Sequence, residues 1–172
     1  MVKAANDIQG EIYMGLDMFV REIRTWEKRE LGQFAQSVLK SIYNVNNPNL
    51  NVNEEFDIDS FLLRNPTLPV PYRLGEELVY WRKYPDVHGW MKNLFFDKGG
   101  VTTSDFNHDV VFLTVEDAEN LKTAIVEETL PTTSGFFFGD SEGRLKENDL
   151  EKVDLMLDAL SKGSSIYYTS SW

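Results

Sequence analysis

Three separate stretches of the sequence combine charged, hydroxyl and aromatic side chains, a mixture that a plain apolar core does not need. They are YWRKYPDVHGW at 80–90, LPTTSGFFFG at 130–139 and IYYTSSW at 166–172. Arginine and lysine bind phosphate, hydroxyl groups bond to its oxygens, and aromatic rings stack on a base. These residue types favour a pocket for a nucleotide-like or phosphorylated small ligand. The candidate binding residues are Trp81, Arg82, Lys83, His88, Trp90, Thr132, Thr133, Ser134, Ser170, Ser171 and Trp172.

The same side chains also fit a purely structural role. Trp81, His88 and Trp90 suit a hydrophobic core, and Arg82 can fix its element by bonding the C-terminal carboxylate or a strand-end carbonyl. Trp81 and His88 lie seven positions apart, so they share a face if one helix carries both. Either role predicts that Arg82, His88, the hydroxyls at 132–134 and the last three residues meet on one side of the fold.

A loop with the sequence SDFNHD suggests a metal site at first sight. It brings Asp105, His108 and Asp109 close together, and a mixed set of histidine and carboxylate ligands is chemically reasonable. The spacing matches no helical or CxxC-type ligand pattern, however. The sequence therefore predicts no metal at this loop.

The stretch DSEGRLKENDLE has some features of a calcium-binding loop. Asp140 stands first and Glu151 twelfth, as such a loop requires. Arg144 occupies the fifth position, where an oxygen ligand is needed, and glycine is fourth rather than sixth. The sequence therefore predicts neither a calcium site nor any other cofactor.

No recognisable catalytic arrangement stands out in the sequence. Ser134 lacks the GxSxG setting of a nucleophile on a strand–turn–helix, and its only candidate base there is His88, far away in sequence. No Walker-type or dinucleotide glycine pattern is present. We name no catalytic residue, and an enzyme is the less favoured interpretation.

The N-terminal part shows a helical pattern. Apolar residues recur every three or four positions, and the phase of the pattern shifts near Gly32. This predicts two helical segments within residues 7–43, packed on each other, on the rest of the chain or, alternatively, on a second copy. The first apolar stripe consists of Ile8, Ile12, Leu16, Phe19, Ile23 and Trp26.

The composition changes over residues 44–73, which are rich in asparagine and carry three prolines from Pro66 to Pro71. Each proline removes a backbone donor and fixes φ, which favours an extended connector. The predicted organisation is a helical N-terminal region at 1–45, an extended Pro/Asn-rich connector at 46–73, and a folded domain at 74–172.

The remaining residues predict an alternation of helices and strands. A helix is expected to restart in GEELVYWRKY and to bend or begin anew at Pro85, and strands are expected at 110–114, in GFFFG and at 165–172. Thr114 and Asp117 form a capping-box-like start for a helix that runs to about Glu128. Another amphipathic helix covers 146–162 and stops at Gly163. The predicted fold class is α+β, or small α/β, with about three short strands, helices on one face and a helical region in front.

Three consecutive phenylalanines, Phe136–Phe138, stand between Gly135 and Gly139. Side chains alternate along a strand, so three neighbouring rings cannot all face one side. A strand covered on both faces is the predicted structure, with at least two of the rings buried on opposite faces.

The charge of the chain is uneven. The formal net charge is −11, and by our count residues 100–172 carry 5 Lys+Arg against 14 Asp+Glu. Such an acidic body repels nucleic acid, so no direct nucleic-acid binding is expected, and mimicry of nucleic acid toward a basic protein is the rarer alternative to simple solubility. Without cysteine, a signal peptide or a run of 18 apolar residues, the protein is expected to be soluble and intracellular, with no membrane partner.

The three blocks, taken in order, resemble a family of small proteins encoded by tailed bacteriophages and prophages, whose members often bear the label phosphoglycerate kinase. The resemblance covers about residues 76–172 and includes the terminal Ser-Ser-Trp. Nothing in this sequence supports that enzyme label. Family members usually follow GFFFG with a Tyr- and Asp-rich turn and another aromatic residue, whereas DSEGRLKEND has no aromatic. The resemblance implies an accessory protein in the cytoplasm of the infected bacterial host.

Two functions remain as hypotheses. The first is a non-enzymatic phage accessory protein that binds a host or phage protein, with inhibition of a host process as one outcome of that binding. The alternative is a binder or enzyme for a nucleotide-like or phosphorylated ligand near Arg82 and Thr132. The sequence leaves the oligomeric state open.

Overall fold

A computed structural model of the chain describes residues 15–24, 27–28, 32–33, 58–70, 74–136, 138–141 and 145–172. Within these ranges the elements follow one another as β1 (Asp17–Ile23), α1 (Ile58–Arg64), β2 (Glu76–Arg82), α2 (Pro85–Asp97), β3 (Val110–Leu113), α3 (Val115–Val126), α4 (Lys146–Ser161) and β4 (Ser165–Ser171). None of the helices in this part of the chain has the length and apolar character needed to span a bilayer.

The four strands form one antiparallel sheet in the order β2-β1-β4-β3. The predicted α+β class is therefore confirmed, with four strands where about three were expected. The additional strand is β1, which pairs with β2 on one side and with β4 on the other. Residues 17–23 thus belong to the same sheet as three strands from 74–172, although the predicted organisation places them in separate units.

Both faces of the sheet are covered, which differs from the predicted single helical layer. The face that we call inner carries α2, α3 and α4 over a core that includes Met18, Trp81 and Tyr168. The opposite, outer face carries α1 and a smaller apolar cluster around Phe112 and Tyr167. Consecutive residues of β4 therefore enter different clusters, as the alternation of a strand requires.

The helix predicted over 7–43 is wrong at residues 17–23, which form β1. Leu16, Met18 and Val20 are completely buried at every second position. The helical spacing of Leu16, Phe19 and Ile23 coexists with this alternation, and the pairing of β1 on both edges decides in favour of the strand. Lys28, Gly32 and Gln33 are helical, and the rest of the predicted segment lies outside the described residues.

The helix predicted in GEELVYWRKY is also wrong, because Glu76–Arg82 is β2. Val79 and Trp81 point into the inner core and the residues between and after them are exposed, a period of two. Pro85 does not bend a helix but begins α2 at its first turn. Trp81 and His88 therefore lie on different elements and share no helical face.

The strand predicted in GFFFG is absent from the described residues of that stretch. Phe138 is buried, Phe136 is 93% exposed, and Phe137 lies outside the described residues. The Phe138 amide donates to the Gly135 carbonyl at 3.1 Å, which closes a turn, and Gly139 has φ +74°, a conformation that favours glycine. Phenylalanine is common in strands, but a strand also needs a neighbour, and none of the described strands pairs with this stretch.

Several other predictions are confirmed. The capping box joins Thr114 and Asp117 at the start of α3, and β3, α4 and β4 lie where they were expected. Gly163 follows α4 with φ +81°. The connector at 46–73 is extended only in part, because α1 lies within it and Pro66 accepts a backbone hydrogen bond from Phe112 at 2.7 Å.

Candidate functional site

The three chemically mixed blocks of the sequence contact one another at one end of the sheet. His88 of the first block packs against Phe138 of the second, with ring centroids 4.9 Å apart, and bonds to Tyr168 of the third. Phe138 also packs against Trp172, with centroids 5.4 Å apart. We call this region the block junction: His88, Phe138, Tyr168, Ser170 and Trp172, together with Phe106, which packs on two of them.

His88 is the polar centre of the block junction. Its exposed fraction is 1%, and its Nδ1 lies 2.8 Å from the Tyr168 hydroxyl. Burial and, less strongly, the nearby ammonium of Lys92 lower the pKa of His88 from 6.5 to about 4, while the carboxylate of Asp105 acts in the opposite direction. Burial also raises the pKa of Tyr168 well above its ordinary value. Both groups are therefore uncharged at neutral pH.

The loop between α2 and β3 closes the junction from one side. Asp105, Phe106 and His108 all have left-handed φ values of 54°, 71° and 62°, which strain a residue with a side chain. The Thr102 hydroxyl accepts from the Phe106 amide at 3.0 Å, which helps to hold that strained backbone. The loop in turn binds the end of β4, since the His108 amide donates to the Ser170 carbonyl at 2.9 Å.

The second block lies across the N-terminal half of α2. The Thr133 amide donates to Asp86 Oδ1 at 2.9 Å, and the Thr133 side chain rests directly on Gly89. A Cβ at Gly89 would lie 1.9 Å from Thr133 Oγ1, so only glycine allows this approach. Thr132 and Ser134 are exposed on either side. Among the described contacts, the hydroxyl run thus attaches the block to α2 through its middle residue, Thr133.

Four polar side chains form a row on the outer face of the sheet, at the same end. Register pairs Arg82 with Asp17 and Asp17 with Ser171, and the Arg82 guanidinium lies 3.4 Å from Asp17 Oδ1. The Ser171 hydroxyl in turn lies 3.1 Å from Nε2 of His108, the fourth side chain of the row. Arg82 and Ser171 thus reach the end of the sheet that carries the block junction, but on the opposite face from His88.

The remaining candidates of the first block have structural surroundings. Trp81 is 1% exposed and its indole donates to the buried Asp149 at 2.8 Å. Trp90 is partly buried against the inner core. Lys83 has φ 51°, and its aliphatic stem packs against Gly139, so it ties β2 to the second block.

The metal-site candidates do not converge. Asp105 pairs with Lys92, Asp109 accepts from Thr102 and Ser104, and His108 contacts Ser171. Across the described ranges, no group of three histidine, cysteine or acidic residues is arranged to hold a metal ion. The calcium-like stretch contributes its last part to α4, and residues 142–144 lie outside the description.

A cleft of about 350 Å³ lies beside the second block and has Thr132 on its wall. Among the described residues that line it are three carboxylates, those of Asp86, Glu128 and Asp149, and one ammonium, that of Lys146. Lys146 is already paired with Glu128 at 2.8 Å. The excess of negative charge disfavours a phosphate group in this cleft.

Reasoning from sequence missed Phe106, Phe138 and Tyr168 as members of the junction. For Tyr168 a signal was present, because residues two apart on a strand share a face and Tyr168 precedes Ser170 by two. Phe106 gave no such signal, since only its left-handed backbone brings its ring within 5.8 Å of Tyr168 in a stacked arrangement.

Comparison of the chain with models of protein families, with curated proteins and with solved structures gave no match.

Proposed function

We propose that this chain is a phage-encoded accessory protein that acts in the cytoplasm of the infected bacterium by binding a host or phage protein. The three blocks that resemble the phage family support the phage origin. The proposed contact is the exposed part of the second block, with Phe136 at its centre.

The exposure of Phe136 carries this proposal. The ring is 93% exposed, whereas Thr133 on one side is fixed to Asp86 and Phe138 on the other is only 8% exposed. A large aromatic ring on a segment anchored at both ends is the kind of residue that dominates binding energy at protein interfaces. Anchoring also reduces the conformational entropy that is lost when a partner binds.

Charge indicates the chemistry of the partner. The exposed side chains near Phe136 include Thr132, Ser134 and Asp140, and the neighbouring cleft is acidic. Residues 100–172 carry a formal charge of −9 by our count. A partner with a basic contact surface fits this field, and association is then expected to weaken as ionic strength rises.

A phosphorylated ligand held jointly by Arg82 and Thr132 receives less support from the geometry. Arg82 lies on the outer face beside Asp17, whereas Thr132 follows the second block over α2 on the inner side. The cleft beside Thr132 is acidic. Protein binding through the second block is therefore the function we favour.

The test uses the full chain as bait in a bacterial lysate, with Phe136→Ser as the variant and Val101→Ser as the matched control. Val101 is 86% exposed on a different loop. A partner retained by the wild type and by Val101→Ser, lost with Phe136→Ser and weakened by salt supports the proposal. A partner retained equally by all three proteins contradicts the placement of the contact, and a nucleotide that raises the melting temperature without any partner favours the ligand hypothesis.

A further inference from the structure

Asp149 is a nearly buried carboxylate that receives one hydrogen bond from the described residues. Its exposed fraction is 3%, and its Oδ1 accepts from the Trp81 indole at 2.8 Å. Lys152 Nζ lies 4.0 Å from the same oxygen, which is too far for a hydrogen bond. Within the described ranges, no donor bonds to the other oxygen, Oδ2. Because a buried carboxylate is costly unless both oxygens have partners, a further donor is expected at Oδ2.

The acidic cleft beside the second block gives access to this oxygen. Asp149 forms part of the wall of the cleft, and its Oδ2 is not completely enclosed. Asp86 lies on the same wall, and its Oδ1 accepts from the Thr133 amide at 2.9 Å. The two carboxylates stand in the first turns of α4 and α2, where the positive end of a helix favours negative charge. Two helix starts thus hold negative charge at one cleft.

The other walls of the cleft combine apolar groups with hydroxyls. The apolar part consists of Tyr84, Ile125 and Leu130, and Thr132 and Ser141 supply the hydroxyl groups. Long basic side chains lay their aliphatic stems against apolar surface while their charged heads bond to polar partners. A cleft of about 350 Å³ with apolar walls and accessible carboxylate oxygens therefore suits such a side chain.

The ammonium of Lys146 does not bond to these two carboxylates. It lies 2.8 Å from Glu128 Oε1 and donates to the Val126 carbonyl at 2.9 Å. No hydrogen bond joins it to Asp86 or Asp149 in the part of the chain that the structure describes. The cation of the cleft is thus engaged at Glu128, and Oδ2 of Asp149 still lacks a donor.

We propose that this cleft binds the guanidinium group of an arginine side chain from a partner protein, which donates to Asp149 Oδ2 and to Asp86. Arginine is favoured over lysine because its planar fork presents five donors and can bond to two carboxylates at once. The choice of occupant rests on the protein-binding function proposed above, since the second block carries both Thr132 of the cleft and the exposed Phe136. The basic chemistry expected of the partner is thereby assigned to one position.

The Trp81 indole N–H reports directly on the site, because it donates to Asp149. The test follows this signal, assigned by triple-resonance experiments, in ¹H–¹⁵N spectra of the full chain. Nα-acetyl-arginine amide is the probe, and its citrulline counterpart, which has nearly the same shape without the charge, is the matched control. We expect a saturable upfield shift with the arginine compound, because a carboxylate that shares its charge with a guanidinium accepts the indole hydrogen bond less strongly. The citrulline compound should bind at least about tenfold more weakly.

Three variants examine the charges of the cleft. Asp149→Asn keeps the shape and an acceptor for Trp81 but removes the charge, and it is expected to weaken arginine binding at least about tenfold. Asp154→Asn removes an exposed carboxylate from the same helix, outside the cleft, and should leave binding unchanged. Lys146→Gln should strengthen binding, because it removes a positive charge that repels the guanidinium. If Asp149→Asn does not fold, Asp86→Asn gives the same comparison.

Equal shifts with the arginine and citrulline compounds overturn the proposal, as does equal arginine binding to the wild type and to the folded carboxylate variant. An indole signal that the arginine compound moves neither in the wild type nor in Lys146→Gln overturns it too. Phe136→Ser separates this inference from the proposed function, because it removes the partner contact and leaves the cleft intact. A partner captured through Phe136 without an arginine shift contradicts the cleft alone. Arginine binding without any partner that requires Phe136 supports the cleft and contradicts the partner contact.

Discussion

At the scale of single residues, burial rather than residue type determines what His88 can do. In the sequence, His88 follows Arg82 and Lys83 and lies near Trp90, which suggests a side chain that binds a ligand. In the structure its ring is surrounded by Phe106, Phe138 and Tyr168, and a positive charge there would be poorly solvated. The charged groups that affect it are Lys92, which opposes protonation, and Asp105, which favours it less strongly.

This burial predicts an acid-sensitive fold. The pKa of His88 is lowered from its ordinary value of 6.5 to about 4, so the unfolded chain takes up a proton before the folded chain does. The free energy of unfolding is therefore not reduced by His88 above about pH 6.5. It falls by up to roughly 3 kcal/mol as the pH drops toward 4, because the unfolded chain then binds a proton that the folded chain does not. Urea unfolding of the wild type and of His88→Asn at pH 7 and pH 4.5 measures it.

Because carboxylates also titrate in this range, the difference between the two proteins is the decisive quantity. His88→Asn should lose less stability between the two pH values than the wild type. His108→Asn removes the other histidine of the chain and shows how much of any difference is specific to His88. Equal losses in the wild type and in His88→Asn would show that His88 is protonated as readily in the folded state as in the unfolded state.

At the scale of elements, local signals specified the starts of helices well. Pro85 begins α2, and the capping box of α3 satisfies two backbone amides at once: Thr114 Oγ1 accepts from the Asp117 amide at 3.2 Å, and Asp117 Oδ2 accepts from the Thr114 amide at 2.7 Å. Such interactions depend on residues three positions apart, so the sequence alone is enough to predict them.

Thr114→Ala is expected to lower the free energy of unfolding by about 1 kcal/mol, because the side-chain acceptor at the start of α3 is lost. Thr123→Ala is the matched control. Thr123 lies in the exposed middle of the same helix, where its hydroxyl bonds only to the Glu119 carbonyl at 3.0 Å. Alanine is the better helix former there, so this change should be neutral or slightly stabilising. Urea titrations with unchanged slope measure both, and equal effects would contradict the capping role.

At the scale of the whole molecule, the sheet joins distant parts of the chain. β1 lies between β2 and β4, which are contributed by residues 76–82 and 165–171. Leu16, Met18, Val20 and Ile23 are all 0% exposed, so β1 contributes to both the inner and the outer cluster. Residues 76–172 by themselves thus lack one central strand of the sheet.

A fragment of residues 74–172 is therefore predicted not to fold cooperatively. Without β1, both β2 and β4 lose their neighbour, and truncation of a single buried apolar residue already costs about 2–5 kcal/mol against a total stability of about 5–15 kcal/mol. Far-ultraviolet circular dichroism with urea titration compares the fragment with the full chain. A sharp transition in the fragment would mean that β1 is dispensable and that 74–172 is a separate domain.

The sequence by itself determined the features that depend on neighbours within a few residues. These include the ends of α3 and α4, the strands β3 and β4, the α+β class and the three blocks that contribute to the block junction. Capping pairs and helix stop signals are local, so their energetic consequences are nearly the same in most folds.

Tertiary structure alone decided three things. Whether 17–23 and 76–82 became strands depended on partners far along the chain, because a strand gains its hydrogen bonds only from a neighbour. Ser170 and Ser171 lie on opposite faces of the sheet, and their different surroundings depended on which elements packed on each face. Finally, none of the described strands pairs with Phe136 or Phe138, so Phe136 is exposed while Phe138 lies between His88 and Trp172.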